Sequence, residues 1–364
     1  FVYQNIKIYG KMKHTLIREK NMIKDLWSRL SASDKPIILY GMGNGADKIL
    51  DVLELKGIKA NGIFASDEFV RDKVFRGFHI ENLKYFEDKY KDFTVLLCFG
   101  SARDEVIANI KKIKSKHELY APDVPVYGKN LFDIEFALKN RERLEWVYGM
   151  LADEISKKTF KNTVLYKITG DIDYLFDCEV NQDEPYKSFF TLSESENYLD
   201  LGAYRGDTVS DFLSRVNGYS SITAVEPDIK NFKKLENYAK ALEKTALINA
   251  CVLDKCEEVS FDMTSSRGSS AGKGNYEIKS VKVDSICKSA TFIKTDIEGA
   301  ELKMLDGAKE VITENKPKMA ISCYHRSEDL FTLPEKVLNI NGKYKIFMRH
   351  FKSLPAWDTC FYFV

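Results

Sequence analysis

The sequence predicts two α/β regions in tandem, each built on a mainly parallel sheet. Three observations carry that expectation. Short apolar runs alternate with amphipathic stretches, glycine-bearing turns follow several of the runs, and the whole alternation occurs twice around a more helical middle. Strands alternating with helices imply βαβ units and a parallel sheet. At roughly 150 residues per domain, 364 residues suit two domains and a connecting segment.

The first region, residues 1–130, opens with a charged stretch in which Met22, Ile23, Leu26 and Leu30 are spaced like one helix face. Ile37-Ile38-Leu39-Tyr40 follows as a buried strand, then Gly41-Met42-Gly43-Asn44-Gly45 and an amphipathic helix to about Leu55. Further strands are predicted near Ile58–Ala65 and Thr94–Cys98, with a helix over Arg103–Ile113. Residues 131–190 read as a mainly helical connector. Glu135–Lys157 lacks proline and carries Leu138, Leu144, Val147 and Leu151, and a polar turn at Asn181–Pro185 follows.

The third region, residues 191–364, has predicted strands at Tyr198–Leu201, Ile222–Glu226, Ala246–Ala250, Thr291–Lys294 and Met319–Cys323. Val209, Phe212, Leu213 and Val216 fall at i, i+3, i+4 and i+7, one apolar helix face, with Asp207 placed as its N-cap. Tyr344–His350 and Cys360–Val364 predict a closing antiparallel hairpin.

Composition narrows the function classes. A formal net charge of +1 leaves no global field to gather nucleic acid or an anionic membrane. No apolar run approaches the roughly 18 residues of a membrane helix, and the start at Phe1 lacks the pattern of a secretory signal. Seven cysteines with no Cys-x-x-Cys pair read as reduced thiols of a cytoplasmic protein. Neither nucleic acid nor membrane is therefore expected as a partner; a homo-oligomer stays open.

Three pieces of the third region carry chemistry. Leu199-Asp200-Leu201-Gly202-Ala203-Tyr204-Arg205-Gly206-Asp207-Thr208 is a strand, a glycine turn and a helix start. Glu226, at the end of the next strand, stands where a carboxylate grips a ribose diol in dinucleotide-binding folds. Lys294-Thr295-Asp296-Ile297-Glu298-Gly299-Ala300-Glu301 ends a later strand and brings acids to the same edge. Gly202-x-x-x-Gly206 is not a pyrophosphate loop. Asp200 and Asp207 would repel a pyrophosphate and suit a cationic ligand instead, a description that S-adenosylmethionine meets.

These pieces, with Cys323-Tyr324-His325-Arg326-Ser327-Glu328-Asp329-Leu330 and Tyr344-Lys345-Ile346-Phe347-Met348-Arg349-His350-Phe351, resemble the FkbM family of S-adenosylmethionine-dependent methyltransferases over residues 196–364. The resemblance implies a seven-stranded Rossmann-like methyltransferase sheet and O-methylation of a hydroxyl on a sugar, glycan or related small molecule. By position it assigns Asp200, Gly202 and Gly206 to the methionine end of the cofactor. Glu226 falls to the ribose, Asn249 and Ala250 to the adenine, and Asp296 and Glu298 to the cofactor–acceptor junction. Ser265–Gly274 reads as a loop over the site.

Methyl transfer to an alcohol requires a proton acceptor within hydrogen-bond reach. His325, just past a strand end, is the best single candidate for this base, with Asp296 orienting it or the acceptor; Asp296 is also the rival base. Asp296, Glu298 and His325 would alternatively suit a divalent ion, but no tight ligand spacing marks a metal site and none is assigned.

Leu39–Ala46 and Asp67 resemble the nucleotide-binding unit of N-terminal domains in sugar acyltransferases, which hold a nucleotide-sugar. A nucleotide or nucleotide-sugar at this smaller Rossmann-like domain is one expectation; a role in oligomerisation or acceptor docking is another. Two whole-protein alternatives remain: a nicotinamide-dependent oxidoreductase using the Gly41-x-Gly43 turn, and a non-catalytic nucleotide-sugar-binding scaffold.

Overall fold

The computed structural model describes residues 24–66, 74–261 and 276–364. Met22, Ile23, Asp67 and the Ser265–Gly274 segment singled out above lie outside them.

The N-terminal sheet contains β1 (Ile37–Tyr40), β2 (Gly62–Phe64), β3 (Val74–Phe75), β4 (Phe78–Glu81), β5 (Thr94–Leu97) and β6 (Glu118–Tyr120). Their order is β3-β4-β2-β1-β5-β6, parallel except for the β3–β4 hairpin. An unbroken apolar run such as Ile37–Tyr40 is what a strand covered on both faces requires. Ile37 and Leu39 pack with Ala46, Ile49 and Leu53 of the helix Asn44–Leu55. Ile38 and Tyr40, alternating to the other face, pack with Ile110 and Ile113 of the helix Asp104–Lys114.

The connector folds into short helices. The expected Glu135–Lys157 helix is divided into Ile134–Lys139, Arg141–Met150 and the start of Glu154–Thr169. Asp153 starts the last of these by accepting the Ser156 N–H at 2.7 Å, an N-cap that the periodicity did not weigh. This helix is buried on nearly every side. Phe160, Val164 and Ile168 belong to the C-terminal core and Tyr166 to the N-terminal one, so it joins the two regions. The Asn181–Pro185 turn runs directly into a further short helix, Glu184–Ser188.

The C-terminal region contains β7 (Asn197–Leu201), β8 (Ser221–Val225), β9 (Thr245–Ile248), β10 (Cys251–Val252), β11 (Glu258–Phe261), β12 (Tyr276–Val281), β13 (Phe292–Thr295), β14 (Lys318–Ser322), β15 (Ile346–His350) and β16 (Thr359–Phe363). Seven form one sheet in the order β15-β16-β14-β13-β7-β8-β9. Its first five strands along the chain are parallel, and the closing hairpin is antiparallel as expected. The chain runs from β7 outward through β8 and β9, then returns to β13 and proceeds the other way. The crevice at the carboxyl ends of β7 and β13 is thus a topological switch point, where open α/β sheets bind ligands. A small second sheet, β10-β12-β11, is absent from the sequence reading. Asp207 is not an N-cap: Gly206, in the left-handed region, takes that place and Asp207 is the first helical residue.

No helix of the described residues is long and apolar enough to cross a membrane.

Candidate active site

At the switch point lies a cavity of about 620 Å³. It is walled by the turn after β7, the ends of β8, β13 and β14, and the loop of the closing hairpin. The sequence-derived set divides between residues that reach this cavity and residues that pack behind it. Gly202, Glu226, Ala250, Asp296 and Glu298 line the cavity, while Asp200, Gly206, Asn249 and His325 do not.

Gly202 is where the β7 and β13 loops meet. It has φ +80°, and a methyl group there would sit 2.0 Å from the Asp296 carbonyl oxygen. Only glycine allows that approach. Asp200, expected at the cofactor, is fully buried behind this turn. Its side chain pointed inward because the strand alternates, and there it accepts from the Thr208 hydroxyl and lies 3.3 Å from Lys294 Nζ. Asn249, expected at the adenine, donates instead to the carbonyls of Glu226 (2.8 Å) and Pro227 (3.0 Å) and so fixes the loop that carries the acid. Gly206 packs beneath Tyr238, where its added Cβ would lie 2.5 Å from the ring.

Glu226 faces the cavity from the end of β8. Its carboxylate accepts the Tyr204 N–H at 2.8 Å and the Asp228 N–H at 2.9 Å, which hold it in one orientation. Burial pushes its pKa up to about 7, against those two hydrogen bonds.

Asp296 and Glu298 occupy the opposite side. The Tyr324 hydroxyl donates to both Asp296 oxygens, at 3.0 and 3.2 Å. Burial opposes ionisation of Asp296, but His325 and Lys294 hold its carboxyl well below the usual range. Burial pushes Glu298 up to about 7, a value matched to proton transfer near neutrality.

His325, the expected base, is completely buried. Nδ1 lies 2.9 Å from Glu301 Oε1, and Nε2 lies 3.2 Å from Asp296 Oδ1 and 3.6 Å from Glu298 Oε2. Burial lowers its pKa, yet Glu301 and Asp296 outweigh that and raise it well above the ordinary value. A buried imidazole ringed by carboxylates does not meet an acceptor as a free neutral base. Its place is behind the two carboxylates that do face the cavity.

Residues 200–343 match the family model of the methyltransferase FkbM domain. The C-terminal half carries an FkbM methyltransferase domain. That match stops at Lys343, short of the hairpin included in the sequence resemblance, although β15 and β16 complete the same sheet. The crystal structure of methyltransferase FkbM from Methylobacillus flagellatus KT superposes on this chain with a TM-score of 0.71 and 22% identity. The overlap covers 91% of this chain and 90% of that one, so the likeness in fold includes the N-terminal region. Fibrillarin from Aeropyrum pernix, in complex with natively bound S-adenosyl-L-methionine, overlaps 47% of this chain and 67% of its own, at 14% identity and a TM-score of 0.32. An rRNA methylase from Streptococcus thermophilus overlaps 47% of this chain and 87% of its own, at 13% identity and a TM-score of 0.32. None of the curated proteins matches the chain.

The FkbM domain does not enclose its cavity alone. Ser101, Ala102 and Val126 of the N-terminal region stand in the wall. Ser101 and Leu354 exchange backbone hydrogen bonds at 2.7 and 3.0 Å, which fastens the end of β5 to the loop between β15 and β16. Beside them Trp357 covers Gly100. Of the N-terminal glycines, for which a nucleotide is one expectation, two of the three are closely packed. A methyl at Gly41 would strike the Phe99 ring at 2.5 Å and one at Gly45 the Cys98 carbonyl at 2.2 Å, whereas Gly43 has nothing within 4 Å. Lys294 and Tyr324 also escaped the reading, as did the N-terminal wall. Lys294 lies within β13 and Tyr324 follows β14 by two residues, and which way each points depends on the register of those strands.

Proposed function

We propose that this protein transfers a methyl group from S-adenosylmethionine to a hydroxyl of a neutral sugar, glycan or related small molecule. The observation that carries the reading is Glu226. It is a fixed carboxylate at the end of β8, facing a cavity whose other wall brings Asp296 and Glu298 to the switch point of a methyltransferase sheet.

The residues fit the cofactor. Glu226 would accept from the ribose hydroxyls, and Ala250, Val252 and Leu253 offer an apolar wall for the adenine. The Gly202 backbone, free of a side chain, borders the methionine end. S-adenosylmethionine, when bound, supplies an electrophilic methyl group on a cationic sulfur. The cavity's seven carboxylates against two cations, Arg215 and Lys294, suit that cation.

The same imbalance bears on the acceptor. A phosphorylated sugar or nucleotide-sugar would meet repulsion, while a neutral polyol would donate hydroxyls to Asp296 and Glu298. Tyr204, Tyr324 and Trp357 add aromatic surface to the wall. Asp296, kept ionised and pinned by Tyr324, positions the hydroxyl. The proton leaves to the Asp296–Glu298 pair rather than to His325, which holds that pair from behind. This assignment replaces the imidazole base expected from the sequence.

A nucleotide-sugar at the N-terminal loop draws less support, because the packing of Gly41 and Gly45 already accounts for most of that motif. Titration calorimetry with S-adenosylhomocysteine tests the cofactor. Transfer of labelled methyl to neutral methyl glycosides, set against nucleotide-sugars, tests the acceptor. Tight binding and preference for the neutral set are expected. Absence of S-adenosylhomocysteine binding by the folded chain would overturn the reading.

A further inference from the structure

Four carboxylates crowd one imidazole at the ends of β13 and β14. Asp296, Glu298 and Glu301 approach His325 at 3.2, 3.6 and 2.9 Å. Asp329, buried in the same group, accepts the Arg326 N–H at 2.9 Å through one oxygen. Close approach has not produced hydrogen bonds of good geometry at the centre. Neither ring nitrogen of His325 is aligned with a partner, and Glu301 Oε2 and Asp329 Oδ1 are buried without a donor. Buried polar atoms nearly always have partners. Here four such atoms, His325 Nδ1 and Nε2, Glu301 Oε2 and Asp329 Oδ1, are gathered around one buried ring.

The geometry of that spot is that of a ligand set. One ligand atom from each of Asp296, Glu301 and His325 lies within 4.8 Å of the others. Adjacent oxygen or nitrogen ligands of an octahedral ion with bonds near 2.1 Å stand about 3 Å apart, close to the 3.2 Å between His325 Nε2 and Asp296 Oδ1. Glu298 stands at 3.6 Å from the same nitrogen. Asp296 and Glu298 also line the cavity, so an ion held there would keep open positions toward it. Glu301 faces the far nitrogen of the ring, as a carboxylate does when it orients a metal-binding histidine.

We propose that His325, Asp296 and Glu298 bind a hard divalent cation, Mg²⁺ or Mn²⁺, with Glu301 as the positioning residue that turns His325 Nε2 toward the ion. Carboxylate oxygens with one imidazole select hard divalent ions over thiophilic ones. The site rests on the methyl-transfer reading only for its use: an ion there would receive the acceptor hydroxyl, and Glu298, holding the ion by the oxygen nearest His325, would keep its other oxygen for the hydroxyl proton.

The test is Mn²⁺ binding to the full chain, followed by electron paramagnetic resonance after treatment with EDTA. S-adenosylhomocysteine calorimetry on the same sample serves as a separate readout. One Mn²⁺ per chain is expected, displaced by excess Mg²⁺. Asp296→Asn should abolish it, and Glu301→Gln should weaken it by about 10–100-fold. Asp296 faces the cavity, so its variant keeps the test valid where a His325 variant fails to fold. Protein that binds S-adenosylhomocysteine but takes up no Mn²⁺ at millimolar concentration overturns the cation site and leaves the methyltransferase reading standing. Mn²⁺ bound equally well by Asp296→Asn also overturns the site. Mn²⁺ bound as expected without any S-adenosylhomocysteine binding supports the site and overturns the methyltransferase reading instead.

Discussion

Lys294 Nζ lies 3.3 Å from Asp200 Oδ1 and donates to the Gly202 carbonyl at 3.0 Å. One ammonium thus ties β13 to β7 and to the turn that borders the cavity. Burial works against the charge on both groups, raising the Asp200 pKa, while Asp200 raises that of Lys294. Removing one member of a buried pair leaves the other uncompensated, at a cost of about 3–5 kcal/mol. Lys294→Met should therefore lower the free energy of unfolding by that order in urea titrations. Restoring balance with Asp200→Asn in the same chain should recover part of it. A single variant as stable as the parent would show the pair to be energetically idle.

The second prediction follows from the raised pKa of Glu226. Ribose hydroxyls donate, so the binding form is the carboxylate. In the free protein burial holds the group protonated below about pH 7. Affinity for S-adenosylhomocysteine should then rise as pH increases from 5.5 and level off above about 8. The limiting slope is about tenfold per pH unit for one coupled proton. Glu226→Gln, which cannot ionise, should bind more weakly at pH 8 and show no such slope. Calorimetry across that range checks both, and an equally steep profile in the variant would assign the proton to another group.

Much of this architecture was legible because it rests on local patterns. The runs Ile37–Tyr40, Tyr198–Leu201 and Ile222–Val225 are apolar apart from Asp200 and Thr223 and end in turns, so their strands and their ligand-side ends follow directly. The motifs placed Glu226, Asp296 and Glu298 at one edge for the same reason. What stayed hidden depends on long-range register. Asp200 sits one residue from a turn, and pleating decides whether it reaches ligand or core. His325 follows its strand by three residues, and it packs inward against Glu301 of the helix after β13. The β10–β12 sheet escaped notice because a two-residue strand such as Cys251–Val252 has no periodicity to read. The N-terminal wall of the cavity depends on the Ser101–Leu354 contact, 253 residues apart in the chain, which no local pattern encodes.

The third prediction concerns His350. It is buried in β15, with Nδ1 2.8 Å from the Thr359 hydroxyl, and burial lowers its pKa to about 4. The sign runs toward acid sensitivity. The unfolded chain binds a proton at about pH 6.5 and the folded chain resists it, so stability is full above that value and declines as pH falls toward 4. The whole step is on the order of a few kcal/mol. His350→Asn should cost some stability at pH 8 through lost packing but flatten the loss between pH 6.5 and 4. Melting temperatures across that range measure it, and an unchanged acid slope in the variant would place the sensitivity in other groups.

The fourth prediction separates the two halves of the cavity. Trp357 covers Gly100 so closely that a methyl group there would lie 2.1 Å from ring atom Cζ3. The ring is rigid, so Gly100→Ala must displace Trp357 and with it the hairpin loop bonded to Ser101. Trp357 and Ser101 wall the cavity on the side away from Glu226, which sits on β8 with its own backbone donors. The substitution should therefore raise KM for the acceptor and lower kcat through misplacement, which costs about a hundredfold when reacting atoms shift by an ångström. Affinity for S-adenosylhomocysteine should stay within about twofold of the parent, since that change corresponds to less than 1 kcal/mol. Calorimetry and methyl-transfer kinetics on one preparation distinguish the outcomes. Equal losses in cofactor and acceptor binding would mean that the docked N-terminal region supports the whole cavity, and unchanged kinetics would remove Trp357 from the acceptor wall.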